Sequence, residues 1–232
     1  MTIICIEGMK GAGKTTTINF LVERLKKRGV EVTIVAPFTE ANTHFEKVGG
    51  VFPLLLKDET VKQGFNYVLN RYLEVIKTAS LSKELVLLDR GWITLLCALE
   101  DSVLMGKSFC RDSIMEKIPP TLFLNVGPKV TLERRKGELD AKSGLGSESL
   151  VERDHERRLQ LKKTYQSHII ADWDTTEKLD VESKAFNEQL DCLVEKILSN
   201  MSVVNEMLEK SQDAIEMAAK ADSKSPTLMR KQ

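Results

Sequence analysis

The chain has 232 residues, with 34 Lys and Arg against 34 Asp and Glu and a formal net charge of zero. That balance argues against a partner bound through net charge, so neither a nucleic acid polymer nor an anionic membrane is expected. The length suits one domain, or one and a half, with a full apolar core.

The four cysteines (Cys5, Cys97, Cys110, Cys192) show no C-x-x-C pairing and read as buried thiols in a reducing compartment. No apolar run approaches the roughly 20 residues that span a bilayer, and the start of the chain lacks a signal-peptide pattern. A cytoplasmic protein is expected.

In chain order, Thr2 to Ile6 (TIICI) is apolar and β-branched, as a buried parallel strand should be. Gly8 to Thr15 then read GMKGAGKT, a full G-x-x-x-x-G-K-[ST] pattern. Ile18, Leu21, Val22 and Leu25 recur at helical spacing, and KKRG (Lys26 to Gly29) closes the helix. Val30 to Ala36 is a second strand, with PFTEANTH after it as a loop. A helix is expected from about Asp58 to Ala79 and a third strand over Leu85 to Leu88, which runs into Asp89-Arg90-Gly91. Thr121 to Gly127 is a fourth strand, His168 to Trp173 a weaker fifth, and a charged helix covers about Leu150 to Gln166. Strands alternating with helices imply an α/β fold with a parallel sheet covered on both faces.

Lys136 to Leu150 (KGELDAKSGLGSESL) is rich in Gly, Ser and charge and reads as a mobile surface loop. The domain is placed at 1–199, with that lid at about 136–150. Residues 200–232 read as an appended helix and a disordered tail.

The chemistry follows from a strand–glycine-rich loop–helix unit. Its glycines let backbone N–H groups turn onto phosphate oxygens at a helix N-terminus. Lys14 adds a charge at the β- and γ-phosphates, and the Thr15 hydroxyl suits Mg²⁺. The expected ATP-binding set is Gly8, Lys10, Gly11, Ala12, Gly13, Lys14, Thr15 and Thr16. Ligands of open α/β sheets bind beyond the carboxyl ends of the strands. Asp89 is therefore placed to hold Mg²⁺, and Arg90 to grip a phosphoryl group. Arg134, Arg135, Arg153, Arg157 and Arg158 flank the lid, and a closing loop that brings in arginines would both neutralise the moving charge and exclude water. Arg153 and Arg157 are taken as the catalytic pair, beside Lys14 and Arg90.

The motifs IEGMKGAGKTT, LLDRG, NVGP followed by LERR, the lid and Tyr165 resemble thymidylate kinases over most of residues 1–199. The resemblance implies a three-layer α/β/α P-loop fold with a five-stranded parallel sheet and a mobile lid, and a homodimer. It also implies transfer of the ATP γ-phosphoryl group, with Mg²⁺, to a nucleoside monophosphate, thymidine monophosphate first among them. Arg90, Arg71 and Tyr67 would then contact the acceptor, with Phe38 and Lys10 beside them, and Asp172 to Glu177 would border the donor adenine. Gly11 at the P-loop position that carries arginine in one branch implies the branch with lid arginines.

Two departures fall on the acceptor side. Lys10 stands where an acidic residue is usual, and APFTEANT stands where E-P-G-G-T is usual. The acceptor's identity therefore stays open. A kinase of a nucleoside or another small hydroxylated metabolite is the alternative, with Glu7 or Glu40 as the base it would need. A nucleotide-switch ATPase fits less well, because only four positions, not five, separate Lys10 from Lys14.

Overall fold

Five apolar segments supply the strands β1 (Thr2–Gly8), β2 (Val32–Val35), β3 (Leu85–Asp89), β4 (Thr121–Asn125) and β5 (Ile169–Asp174). In the computed structural model, which describes residues 2–44, 59–78, 85–101, 107–140, 148–176 and 183–201, they pair in parallel in the order β2-β3-β1-β4-β5. Parallel neighbours need crossovers, and helices supply them. α1 (Lys14–Lys27) leads from β1 to β2. α2 (Pro37–His44) and α3 (Glu59–Thr78) precede β3, and α4 (Trp92–Asp101) and α5 (Lys107–Met115) precede β4. α6 (Pro128–Asp140), α7 (Glu148–Thr164) and a 3₁₀ turn (Gln166–His168) precede β5, and a helix over 184–201, α8, follows it.

The side-chain alternation of the strands divides the core in two. Cys5, Val86, Leu88 and Phe123 face one layer, with Phe65, Tyr72, Trp92, Ile93 and Leu161. Ile4, Ile6, Leu85, Leu87, Leu122 and Leu124 face the other, with Leu21 and Leu25 of α1 and Leu190 and Ile197 of α8. Burial on both faces explains why these strands read as continuous apolar runs rather than alternating ones. No described helix is long and apolar enough to cross a membrane.

The expected loop PFTEANTH is instead α2. Proline suits a first helical turn because its missing N–H has no partner there anyway. Phe38 and Ala41 share a buried face. The Ala36 N–H donates to Glu40 Oε1 at 3.4 Å, while the Glu40 N–H donates to the Ala36 carbonyl at 2.9 Å. Polar composition had hidden a capped helix. The lid expectation shifts as well: α6 continues through Asp140 and α7 begins at Glu148, so both ends of the expected loop are helical. Residues 141–147 and the extension beyond 201 lie outside the described residues.

The crossover from β1 leads past β3 to β2, and the crossover from β3 leads past β1 to β4. The chain therefore departs in opposite directions from two neighbouring strands, which opens a crevice at their carboxyl ends. Here Arg90 adopts φ 65°, the one non-glycine residue with positive φ among those described. Gly91 follows at full burial, where an added Cβ would meet Cys5 Sγ at 2.6 Å, Leu88 Cδ2 at 3.2 Å and Tyr72 Cε2 at 3.3 Å. Gly91→Ala is expected to destabilise the fold by about 1–3 kcal/mol, the usual cost of overpacking, as read by urea unfolding. Adding Cys5→Ala should recover part of the loss, because it removes the nearest clashing atom.

Candidate active site

The P-loop leaves β1 at Gly8, whose φ of 146° no L side chain adopts easily and whose added Cβ would meet the Leu124 carbonyl oxygen at 2.5 Å. Gly11 (φ 89°) and Gly13 (φ 83°) are also left-handed, and Gly13 caps α1. The cap has no side-chain hydrogen bond, so the first-turn N–H groups of α1 face outward as an anion-binding end. Ala12 is buried, and its N–H donates to the Met9 carbonyl at 3.1 Å. Thr15 and Thr16 are exposed on the first turn, and Lys10 is exposed within the loop.

Two side chains from the far edge of the sheet tie down the outer wall of this loop. Thr175, just after β5, donates its hydroxyl within 3.0 Å of both the Ala12 and Asn125 carbonyls. Arg134 of α6 donates to the Gly11 carbonyl at 3.0 Å and to the Thr175 carbonyl at 2.7 Å. The segment expected to border an adenine therefore touches the P-loop through these hydrogen bonds. Neither contact was visible in the sequence, since Arg134 was one of five flanking arginines and Thr175 one polar residue in DWDTTE.

Lys14 is buried and donates from Nζ to the Gly8 and Met9 carbonyls at 3.1 and 2.7 Å. Burial first, and then the nearby Arg90 guanidinium, push its ammonium well below the usual lysine range. Arg158 acts in the same direction, while Asp89 and Glu7 oppose it. Arg90 is itself lowered, by burial first and then by Arg158. Lys14, Arg90 and Arg158 thus act on one another's charge.

Arg158 is the arginine of α7 that reaches this point. It is buried, its Nε donates to both Asp154 oxygens at 3.1 and 3.0 Å, and its Nη1 donates to Thr94 Oγ1 at 3.0 Å. Burial works against its charge, but the Asp154 carboxylate above all raises its pKa further. Arg157, expected to be catalytic, pairs instead with Glu100 of α4 at 3.0 Å, and Arg153 is exposed. Arg158 belonged to the flanking set, but its neighbours had been preferred.

Glu7 does not fit the role of a base. It is completely buried, and one oxygen accepts from the Gly91 N–H at 2.7 Å and the Thr94 N–H at 3.1 Å. The other accepts from the Thr94 hydroxyl at 2.7 Å and faces Arg158 Nη1 at 3.5 Å. Asp89 contrasts with it: its buried Oδ1 has no hydrogen-bond partner among the described residues. An orphaned carboxylate oxygen at a strand end is costly unless something fills the position. That oxygen and the exposed Thr15 hydroxyl are donors of the kind a hard cation prefers, so Asp89 and Thr15 could hold Mg²⁺.

The expected acceptor residues separate into two groups. Tyr67 and Arg71 lie one turn apart on α3 and line an open cleft of about 610 Å³ with Asn70, Glu74 and Glu40. Arg71 Nε binds Glu40 Oε2 at 3.0 Å, and its Nη1 binds Glu74 Oε2 at 2.8 Å. Glu74 first, and also Glu40, hold the Arg71 guanidinium more firmly protonated. Arg90 lies on the P-loop side. Phe38 is 7% exposed, packs within the core and does not line the cleft. α2 turns it inward.

No known protein-family model matches the chain. A thymidylate kinase of Vibrio campbellii is 28% identical over 180 residues, which cover 72% of this chain and 85% of that protein. Among solved structures, a deoxyadenosine kinase from M. mycoides with products dCMP and a flexible dCDP bound superposes with a TM-score of 0.55. It is 20% identical and covers 85% of this chain and all of that one; at this identity the likeness speaks for the fold.

Thr175→Val removes both hydroxyl contacts to the loop. The Asn125 carbonyl keeps the Thr175 N–H at 2.8 Å, so the loss falls on the Ala12 carbonyl and should cost about 1 kcal/mol; nucleotide binding should weaken several-fold in calorimetry, whereas Thr175→Ser retains the contacts.

Proposed function

We propose that this chain, a P-loop phosphotransferase of the nucleoside monophosphate kinase-like family, transfers the γ-phosphoryl group of ATP to a nucleoside monophosphate. The observation that carries the reading is the P-loop geometry: left-handed Gly11 and Gly13 open the N-terminus of α1, buried Lys14 rests on the Gly8 and Met9 carbonyls, and the Arg90 and Arg158 guanidiniums are among the charges that act on it. Three cations in a buried crevice repel one another, and a phosphoryl group in transit, with charge spread over its equatorial oxygens, relieves that repulsion most.

Each residue then has a defined task. The N–H groups around Gly11 and Gly13 cradle the donor phosphates, and Lys14 leaves its loop carbonyls to pair with them. Arg90 and Arg158 face the transferred group from the acceptor side and from α7. Mg²⁺, held by Thr15 and Asp89, would neutralise the donor phosphate oxygens. The cleft of Tyr67, Asn70 and Arg71 receives the acceptor's base and sugar, and Lys10 offers a charge to an anionic group of the acceptor. Such a reaction asks positioning and electrostatics of the protein rather than covalent chemistry.

A nucleoside acceptor is the second reading, favoured by the unpartnered Asp89 Oδ1, which could take the proton of an attacking hydroxyl.

Incubating the protein with Mg–ATP and a panel of nucleoside monophosphates and nucleosides separates the two readings. Product from a monophosphate supports the first, and product from nucleosides alone overturns it. Lys14→Ala should lower kcat/KM at least about 100-fold, because a charge-bearing donor aimed at the transition state is lost; an unchanged rate refutes the role. Asp89→Asn should raise the Mg²⁺ concentration for half-maximal rate about tenfold, the usual scale for a weakened metal site. If Asp89 is instead a base, excess Mg²⁺ will not restore that variant.

A further inference from the structure

We propose that Glu7 is a positioning residue for phosphoryl transfer: its buried carboxylate holds the Arg90–Gly91 turn through one oxygen and Arg158 through the other. The inference rests on the kinase reading only in requiring that a phosphoryl group be transferred, whatever the acceptor.

A completely buried carboxylate is costly unless every lone pair is used. Glu7 divides its lone pairs between two elements. Oε1 takes the Gly91 and Thr94 N–H groups, the free donors at the start of α4. Gly91 directly follows Arg90, whose left-handed backbone stores about 1–3 kcal/mol and persists only where the surroundings over-determine it. Two bonds bracket that residue: the Arg90 N–H donates to the Ile6 carbonyl at 3.0 Å, and the Gly91 N–H to Glu7 at 2.7 Å. Oε2 accepts from the Thr94 hydroxyl, whose oxygen in turn accepts from Arg158 Nη1, and faces that guanidinium directly.

Arg158 is therefore held by Asp154 of its own helix, Thr94 of α4 and Glu7 of β1. The rotamer freedom of a long side chain, worth up to about 2 kcal/mol, is already lost before a substrate arrives. Both oxygens of Glu7 are thus committed to the turn and to Arg158, which suits a positioning role.

Glu7→Gln separates the two halves. The amide oxygen can still accept from Gly91 and Thr94, but the NH₂ group confronts the Thr94 hydroxyl and Arg158. Thr94→Val removes only the hydroxyl between them. Each variant should lose about 10–100-fold in kcat, the scale of a small misplacement, with KM for ATP and acceptor within about threefold. Glu7→Gln combined with Arg158→Gln should be no slower than Arg158→Gln alone, and its pH–kcat profile should keep the wild-type shape. Hydrogen exchange of the α7 amides near Arg158 should accelerate in both variants, while those of α1 do not change.

Unchanged kcat in both variants, multiplicative losses in the double variant, loss of the acid limb of the profile, or unchanged exchange in α7 would each overturn the proposal. Should Glu7→Gln fail to melt cooperatively, Thr94→Val alone and paired with Arg158→Gln decides by the same rates and exchange. A wild-type protein that phosphorylates nucleosides alone would overturn the monophosphate reading and leave these comparisons intact.

Discussion

A carboxylate with no access to water, at the carboxyl end of the central strand, dictates much of what surrounds it. Burying an ionised group costs several kcal/mol after relaxation, so the fold must bring donors to it. Glu7 is met by the first turn of α4 and by the guanidinium of α7. Where α4 begins, how β3 turns into it and where α7 docks all answer to that one requirement. The same charge discourages other ionisation nearby. Burial first, and Glu7 next, raise the Cys5 thiol well above its usual value, and burial, Cys5 and Glu7 do the same to the Tyr72 hydroxyl. The layer behind the crevice is thereby kept neutral, which suits groups packed against Trp92 and Phe65.

In front of that layer the charges are arranged unequally. Glu7 and Asp154 stand with Arg158 and are committed to it, while Asp89 keeps one oxygen unpaired. Burial first, and then mutual repulsion, lower Lys14 and Arg90, a penalty that an anion placed between them would relieve. The crevice is thus biased toward a dense anion and against a neutral ligand, before any particular nucleotide is considered.

How much of this could be read from the sequence depends on whether the backbone or the tertiary docking carries the feature. The P-loop was legible because Gly8, Gly11 and Gly13 are each required by a backbone conformation or a close approach, and such requirements leave a local trace. The strand order was implied only as a class, since alternation of strand and helix does not say which strand is central. Arg157 and Arg158 could not be told apart. Adjacent residues on a helix point about 100° apart, and choosing between them requires knowing which face of α7 rests on α4. The direction of Phe38 was hidden for a related reason: reading PFTEANTH as a loop left it undetermined, whereas the Ala36–Glu40 cap makes the segment helical and turns Phe38 inward.

The two neighbouring arginines also show how magnitude decides orientation. Arg157 with Glu100 is a partly exposed pair, the kind worth at most about 1 kcal/mol. Arg158 is buried in a network of Asp154, Thr94 and Glu7, where loss of one partner typically costs about 3–5 kcal/mol because another charge is stranded. The rotation of α7 about its axis is therefore set by Arg158, and Arg157 takes whatever partner that rotation presents. α7 is registered against the β3–α4 turn by the buried arginine, and Glu7 of β1 is the group that both the turn and the helix share.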